Sequence, residues 1–277
     1  MGPAGRLWLG VGLACAIVAC APAPSSEPPP ATTSVPTDTA SAKWVAVDVD
    51  EAELQAGDVV ADSSGFFLIG SIGQEPLVLE SADGVAWATS VLPPTPAGKM
   101  APWTGAASAD TLVVMGGGET DQCAHPFAET TWALSTGGEW VVAPFQDLFC
   151  AGGGLQIVTD DTSFVVAGNG FGEVPTAWQS SDGLNWVDRS RAAGFGQQPW
   201  DVVFDGHDFV EISRGAPVPT ISTSADGLDW KNRLGLEGIV EQTSQVGLLV
   251  FRDRVRAFVD FGTGGAIGLW DRAADGS

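Results

Sequence analysis

Glu119, Asp121 and His125 lie close together in the chain and are of types that could perform acid–base chemistry. Two carboxylates can divide the work of hydrolysis, one protonating a leaving group and the other activating water or attacking directly. An imidazole titrates near neutral pH and can shuttle the proton. Glu173, Arg214 and Asp260 are further charged candidates. Trp103 and Trp200 stand in matching contexts, Pro102-Trp103-Thr104 and Pro199-Trp200-Asp201. Aromatic rings beside carboxylates suit a sugar or peptide ligand. The same rings serve equally well as plugs at the ends of a channel. With 34 acidic residues in the chain, neighbouring carboxylates arise easily. No catalytic set is therefore assigned, and the sequence favours a non-catalytic module. With two histidines in all, His125 and His207, and no spacing like a calcium loop, no metal or cofactor is expected.

These candidates must be positioned by the elements around them, and the elements repeat. One phrase is Ser81-Ala82-Asp83-Gly84-Val85-Ala86-Trp87. It returns as Ser180-Ser181-Asp182-Gly183-Leu184-Asn185-Trp186 and as Ser224-Ala225-Asp226-Gly227-Leu228-Asp229-Trp230. A worn copy, Ser135-Thr136-Gly137-Gly138-Glu139-Trp140, has Gly in place of Asp. The tryptophans recur at roughly 45–55 residues, the length of a four-stranded propeller blade. The phrase has a physical logic. Asp-Gly makes a tight turn, because Gly accepts positive φ. The Asp carboxylate accepts N–H groups just beyond it, and Ser braces the turn. Trp covers the hairpin. Before each copy runs an inner strand, a polar turn, an apolar strand, a Gly- or Pro-containing loop and a third strand. Trp132, Trp178 and Trp270 occupy one equivalent position and are expected between blades.

The phrase resembles the Asp-box, or BNR repeat, of sialidase-like propellers, in a shortened form with Asp and Gly adjacent. The resemblance implies an all-β β-propeller, and the number of copies makes it a five-bladed β-propeller, with an irregular six-bladed ring as the alternative. A fifth copy breaks off at Asp275-Gly276-Ser277, and its missing strand and tryptophan are supplied by Lys43-Trp44-Val45-Ala46-Val47. That N-terminal strand is expected to close the ring and remove a free sheet edge. In the family the box lies on the outer hairpin, away from the active centre. The search for a site therefore moves to the opposite face, where the blade scheme places Trp103, Glu119, Asp121, His125, Glu173, Trp200, Arg214 and Asp260. The turn holding His207 falls on the box face. Sialidases of this superfamily use a tyrosine nucleophile and three arginines on the substrate carboxylate. This chain has no tyrosine, and Arg252, Arg254 and Arg256 cluster on the wrong face. Sialidase chemistry is not expected. The remaining readings are a surface-anchored binder of a glycan, peptide or partner protein, and as the alternative a different glycoside hydrolase of the same propeller class.

The termini bear on location. Arg6 precedes an apolar run, Leu7–Ala19, too short for a good membrane span. It ends in Ile17-Val18-Ala19-Cys20, which resembles a bacterial lipobox. Residues 1–19 read as a lipoprotein signal peptide and Cys20 as the lipidated residue. Residues 21–42, rich in Pro, Ser and Thr, read as a disordered tether. Residues 43–277 form the propeller. The expected location is the outer leaflet of the plasma membrane, or the outer membrane in a Gram-negative cell. The membrane is then a partner only through the lipid on Cys20, and the domain is expected to be a monomer. A net charge of −22 argues against nucleic acid as a partner. Cys123 and Cys150, an even pair in an oxidising compartment and on one face of the blade scheme, read as a disulfide.

Overall fold

A computed structural model describes residues 54–96, 98–119, 121, 128–135, 138–144, 155–170, 174–189, 199–213, 219–236, 245–250, 254–260 and 267–273. The chain divides into two units, Met1–Val45 and Ala46–Ser277, and every described residue belongs to the second. Among the described residues there is no helix, and strands account for all the regular structure.

The strands form five antiparallel sheets in chain order. The first holds β1 (Leu54–Ala61), β2 (Phe66–Ile72), β3 (Glu75–Ser81) and β4 (Ala88–Val91). The second holds β5 (Ala101–Ala107), β6 (Leu112–Gly118), β7 (Ala128–Leu134) and β8 (Trp140–Val142). The third holds β9 (Gln156–Thr159), β10 (Phe164–Gly170), β11 (Val174–Ser180) and β12 (Val187–Asp188). The fourth holds β13 (Pro199–Phe204), β14 (Phe209–Ser213), β15 (Thr220–Ser224) and β16 (Lys231–Gly235). The fifth holds β17 (Gln245–Val250), β18 (Arg254–Asp260) and β19 (Ile267–Ala273). Within each sheet, strands pair in sequence order. The first strands also neighbour one another, β1 with β5, β5 with β9, β9 with β13 and β13 with β17. This is the construction of a β-propeller, with the first strands innermost.

The core lies between sheets, and the second strand of each shows why. Side chains alternate across a strand. Leu112 and Val114 of β6 pack with Ile69 and Val78 of the first sheet, while Val113 and Met115 pack with Ile157 and Phe164 of the third. In β10, Val165 and Ala167 face Val202 and Phe209 of the fourth sheet. A strand buried on both faces must be apolar throughout, as these runs are. Trp132 and Trp178 are buried between sheets and pair with Val114 and Val166. The backbone of Trp270 pairs in the same way with Ala257, as the repeat predicts. Its side chain lies outside the description.

The first-to-second turns are closed by aspartates. Asp62 Oδ1 accepts the N–H groups of Ser64 and Gly65 (2.6 and 3.1 Å), and Asp160 Oδ1 those of Thr162 and Ser163 (2.9 and 2.7 Å). Asp205 Oδ1 accepts those of His207 and Asp208 (2.9 and 2.8 Å). His207 is an exposed turn residue, as expected.

Candidate functional site

The Ser-Asp-Gly-Trp turns join third and fourth strands at the outer edge of the sheets. In the third sheet, Asp182 Oδ1 accepts the N–H groups of Leu184 and Asn185 (2.9 and 2.8 Å) and the Ser180 hydroxyl (2.9 Å). Asn185 Nδ2 donates to Asp182 Oδ2 at 2.7 Å. Partial burial works to raise the Asp182 pKa, and the donors from Asn185, Leu184 and Ser180 outweigh it, holding the carboxyl at about 2. Asp83 and Asp226 make the same turns, and N–H donors, first those of Ala86 and Asp229, hold both below the usual carboxylate range. The glycines at 84, 138, 183 and 227 all have φ between 71° and 76°. Trp186 and Trp230 donate from Nε1 to the carbonyl of their own turn glycine, at 3.0 and 3.1 Å. Gly183 and Gly227 press on Val113 and Val165 of the preceding sheet. In the worn copy, Gly138 N–H donates to the Ser135 carbonyl (2.8 Å), and Trp140 reaches back to Ser90 of β4 (2.8 Å). The carboxylates and hydroxyls of these turns are engaged in construction, whereas the buried Nε1 of Trp87 has no partner among the described residues.

The inner strands carry different chemistry. β1, β5 and β13 each have a register shift at one extra residue, Gly57, Trp103 and Trp200 respectively. The residue that follows is polar in each, Asp58, Thr104 and Asp201. Gln156 holds the same register in β9: Asp58 pairs with Ile69, Thr104 with Met115, Gln156 with Ala167 and Asp201 with Ile212. The two aspartates make matching contacts. Asp58 Oδ1 accepts the N–H of Val59 (2.7 Å), and Oδ2 that of Gly105 in the next sheet (3.2 Å). Asp201 Oδ1 accepts the N–H of Val202 (2.8 Å), and Oδ2 that of Leu248 in the next sheet (2.7 Å). Each reaches 47 residues ahead. Burial is the chief influence on both. It raises the Asp58 carboxyl above the ordinary range and pushes that of Asp201 up to about 6, helped by the negative charge of Asp58. The Asp58 charge is the smallest of these influences on Asp201.

The predicted face residues fare differently. Trp103 is half-buried; its Nε1 donates to the carbonyl of Leu155, the residue before β9 (3.3 Å), and its ring lies against Gly117. Trp200 packs on the apolar cluster between the fourth and fifth sheets. Both rings are thus committed to seams. Glu119 and Asp121 are exposed. The backbone of Asp260 pairs with Gln245 and Ile267, its side chain lying outside the description. His125, Glu173, Arg214, Cys20, Cys123, Cys150, Trp44, Asp275 and Gly276 lie outside the described residues. No group of His, Cys, Asp and Glu fit to hold a metal occurs among the described residues. The sequence reading passed over Asp58, Thr104, Gln156 and Asp201. The available signal was the tripeptide Asp-Val-Val at 58–60 and again at 201–203, each in a first strand.

No family model matches the chain, and no curated protein matches its sequence. Solved structures do match its shape. The α-L-arabinofuranosidase of Fusarium graminearum superposes with a TM-score of 0.50 at 16% identity, covering 76% of this chain and 72% of that one. The exo-β-1,3-galactanase of Phanerochaete chrysosporium gives 0.50 at 10% identity, over 78% and 59% of the two chains. Prolyl oligopeptidase B of Galerina marginata gives 0.55 at 10% identity, over 81% of this chain and 33% of that one. At these identities the likeness is one of fold, and the fold hosts unrelated activities.

Proposed function

We propose that the propeller cleaves glycosidic bonds at its central channel, with Asp201 as the proton donor and Asp58 as the ionised partner. The carrying observation is the Asp58–Asp201 pair: two carboxyls at one register position of different inner strands, one pushed up to about 6. A site whose carboxyls are pushed apart in pKa can hold an acid and a base at one pH. The donor would protonate the leaving oxygen and the ionised partner would take a proton from water. Two structures of this fold are an arabinofuranosidase and an exo-β-1,3-galactanase, which makes arabinosides and β-1,3-galactans the first substrates to try. The Ser-Asp-Gly-Trp turns support a place among Asp-box propellers. Arg6, the apolar run and Cys20 support export and lipid anchoring at a cell surface, where such polymers are met.

A second reading is the non-catalytic binder of a glycan, peptide or partner protein. It is favoured by one observation: all four oxygens of the pair accept backbone N–H groups, as structural clasps would. The test is a panel of aryl glycosides, arabinan and galactan with the detergent-solubilised full chain, beside a glycan array. Turnover is expected, with kcat/KM falling above pH ~6 as the donor loses its proton, and falling at least ~100-fold in Asp201→Asn and Asp58→Asn. Folded protein that binds glycans without cleaving any would establish the binder instead.

A further inference from the structure

Asp58 and Asp201 have the same backbone donors, yet the proposed function asks them to differ in charge. Their side-chain surroundings differ. Beside Asp58, the neighbouring inner strand presents Thr104, whose Oγ1 lies 3.1 Å from Asp58 Oδ2. Beside Asp201 the corresponding residue, the one before Leu248, is Gly247. Phe258 occupies the space that a side chain there would need. Asp201 therefore has no equivalent hydroxyl. Thr104 Oγ1 also lies 3.3 Å from the Gln156 side-chain amide of the third sheet. Thr104 is buried. It has one proton and cannot give it to both neighbours. With the amide turned to present its NH2, Gln156 donates to Thr104 and Thr104 donates to the Asp58 carboxylate. The chain of donors then runs in one direction across three blades.

We propose that Thr104 and Gln156 are positioning residues for Asp58, a hydrogen-bond chain across three inner strands that favours its ionised form and so fixes which acid of the pair holds the proton. The inference rests on the proposed function for its purpose, though not for its test. Around Asp58, Ile69 pairs from β2, Thr104 and Gly105 approach from β5, and Gln156 follows from β9; none is charged. Among the described residues the titratable group that interacts with Asp58 is Asp201 on β13.

The test is carboxyl 13C NMR of the full chain in detergent micelles, labelled at aspartate, titrated without substrate. In Thr104→Val the Asp58 midpoint is expected to rise by about one pH unit, narrowing the gap between the two titration steps. Gln156→Leu should move it the same way by less, and Thr104→Ser should leave it near wild type. An Asp58 midpoint unmoved in both Thr104→Val and Gln156→Leu overturns the proposal. Should Thr104→Val fail to fold, Gln156→Leu against Thr104→Ser decides in the same terms. A moved midpoint in a protein that cleaves no glycoside keeps the chain and rejects the glycosidase. An unmoved one in an active glycosidase does the reverse.

Discussion

Two kinds of aspartate in this chain pull stability in opposite directions with pH. Asp201, pushed up to about 6 chiefly by burial, holds its proton more tightly folded than unfolded. Its contribution is fully present below the ordinary carboxyl pKa near 4 and is lost as pH rises through about 6. Asp182, held at about 2, behaves conversely: its contribution is present above the ordinary pKa and is lost as pH falls towards about 2. Urea midpoints measured from pH 2 to 8 should show both limbs. Asp201→Asn is expected to flatten the decline between pH ~4 and ~6.5 and leave the acid limb. Asp182→Ala should flatten the acid limb and cost about 1–2 kcal/mol at neutral pH, since it removes an acceptor of four hydrogen bonds. Burial raises Asp58 as well and leaves a remnant of the decline, so a decline as steep in Asp201→Asn as in the wild type would refute the assignment. Asp182 was legible in the sequence because Asp before Gly is a turn signal that depends on local backbone alone. Asp201 was not. In a strand with apolar neighbours, its role depends on a register shift at Trp200 and on an N–H group 47 residues away.

The turn phrase was readable as a hairpin, and the hairpins form where it predicts. What the phrase did not disclose is that its glycine also serves packing between sheets. Gly183 has φ 71°, and a Cβ there would overlap Val113 of the preceding sheet. Gly138, in the worn copy, has φ 76° with open space around it. The two positions therefore separate backbone strain from steric overlap. Gly138→Ala should cost about 1 kcal/mol, the left-handed conformation alone. Gly183→Ala should cost about 3 kcal/mol, because overpacking adds to it. Chemical denaturation of the two variants measures the difference. Val113→Ala in the Gly183→Ala background should recover part of the loss, a coupling that two independent sites would lack. Equal costs at 138 and 183 would mean that the inter-sheet contact contributes nothing. Trp103 and Trp200, readable in the sequence either as a ligand platform or as channel plugs, teach the same lesson from the other side. Their matching contexts were visible, but the sheet seam each would enter was not, because a seam is made by strands distant in sequence.

The largest feature anticipated from the sequence, the ring of repeated sheets, was legible because each sheet carries its own copy of the pattern. Closure is different, because it joins the two ends of the chain. Among the described residues four sheets have four strands, the fifth has three, and β19 pairs with β18 alone. A third strand left at the edge presents unpaired N–H and C=O groups, which propellers normally cover. A largely apolar run with a tryptophan, residues 43–47, stands before the first sheet in the sequence, outside the described residues. We hold to the proposal that this run completes the fifth sheet. Removing residues 41–48 would then expose an edge and withdraw a packed indole, together about 2–3 kcal/mol. For a domain of this size the melting temperature should fall by roughly 5–10 °C. Trp44→Ala should produce a smaller fall in the same direction, since the strand pairing survives. Calorimetry of the full chain and both variants checks this. An unchanged melting temperature on deletion would mean that the fifth sheet is finished by some other means, and the irregular six-bladed alternative would then regain its place.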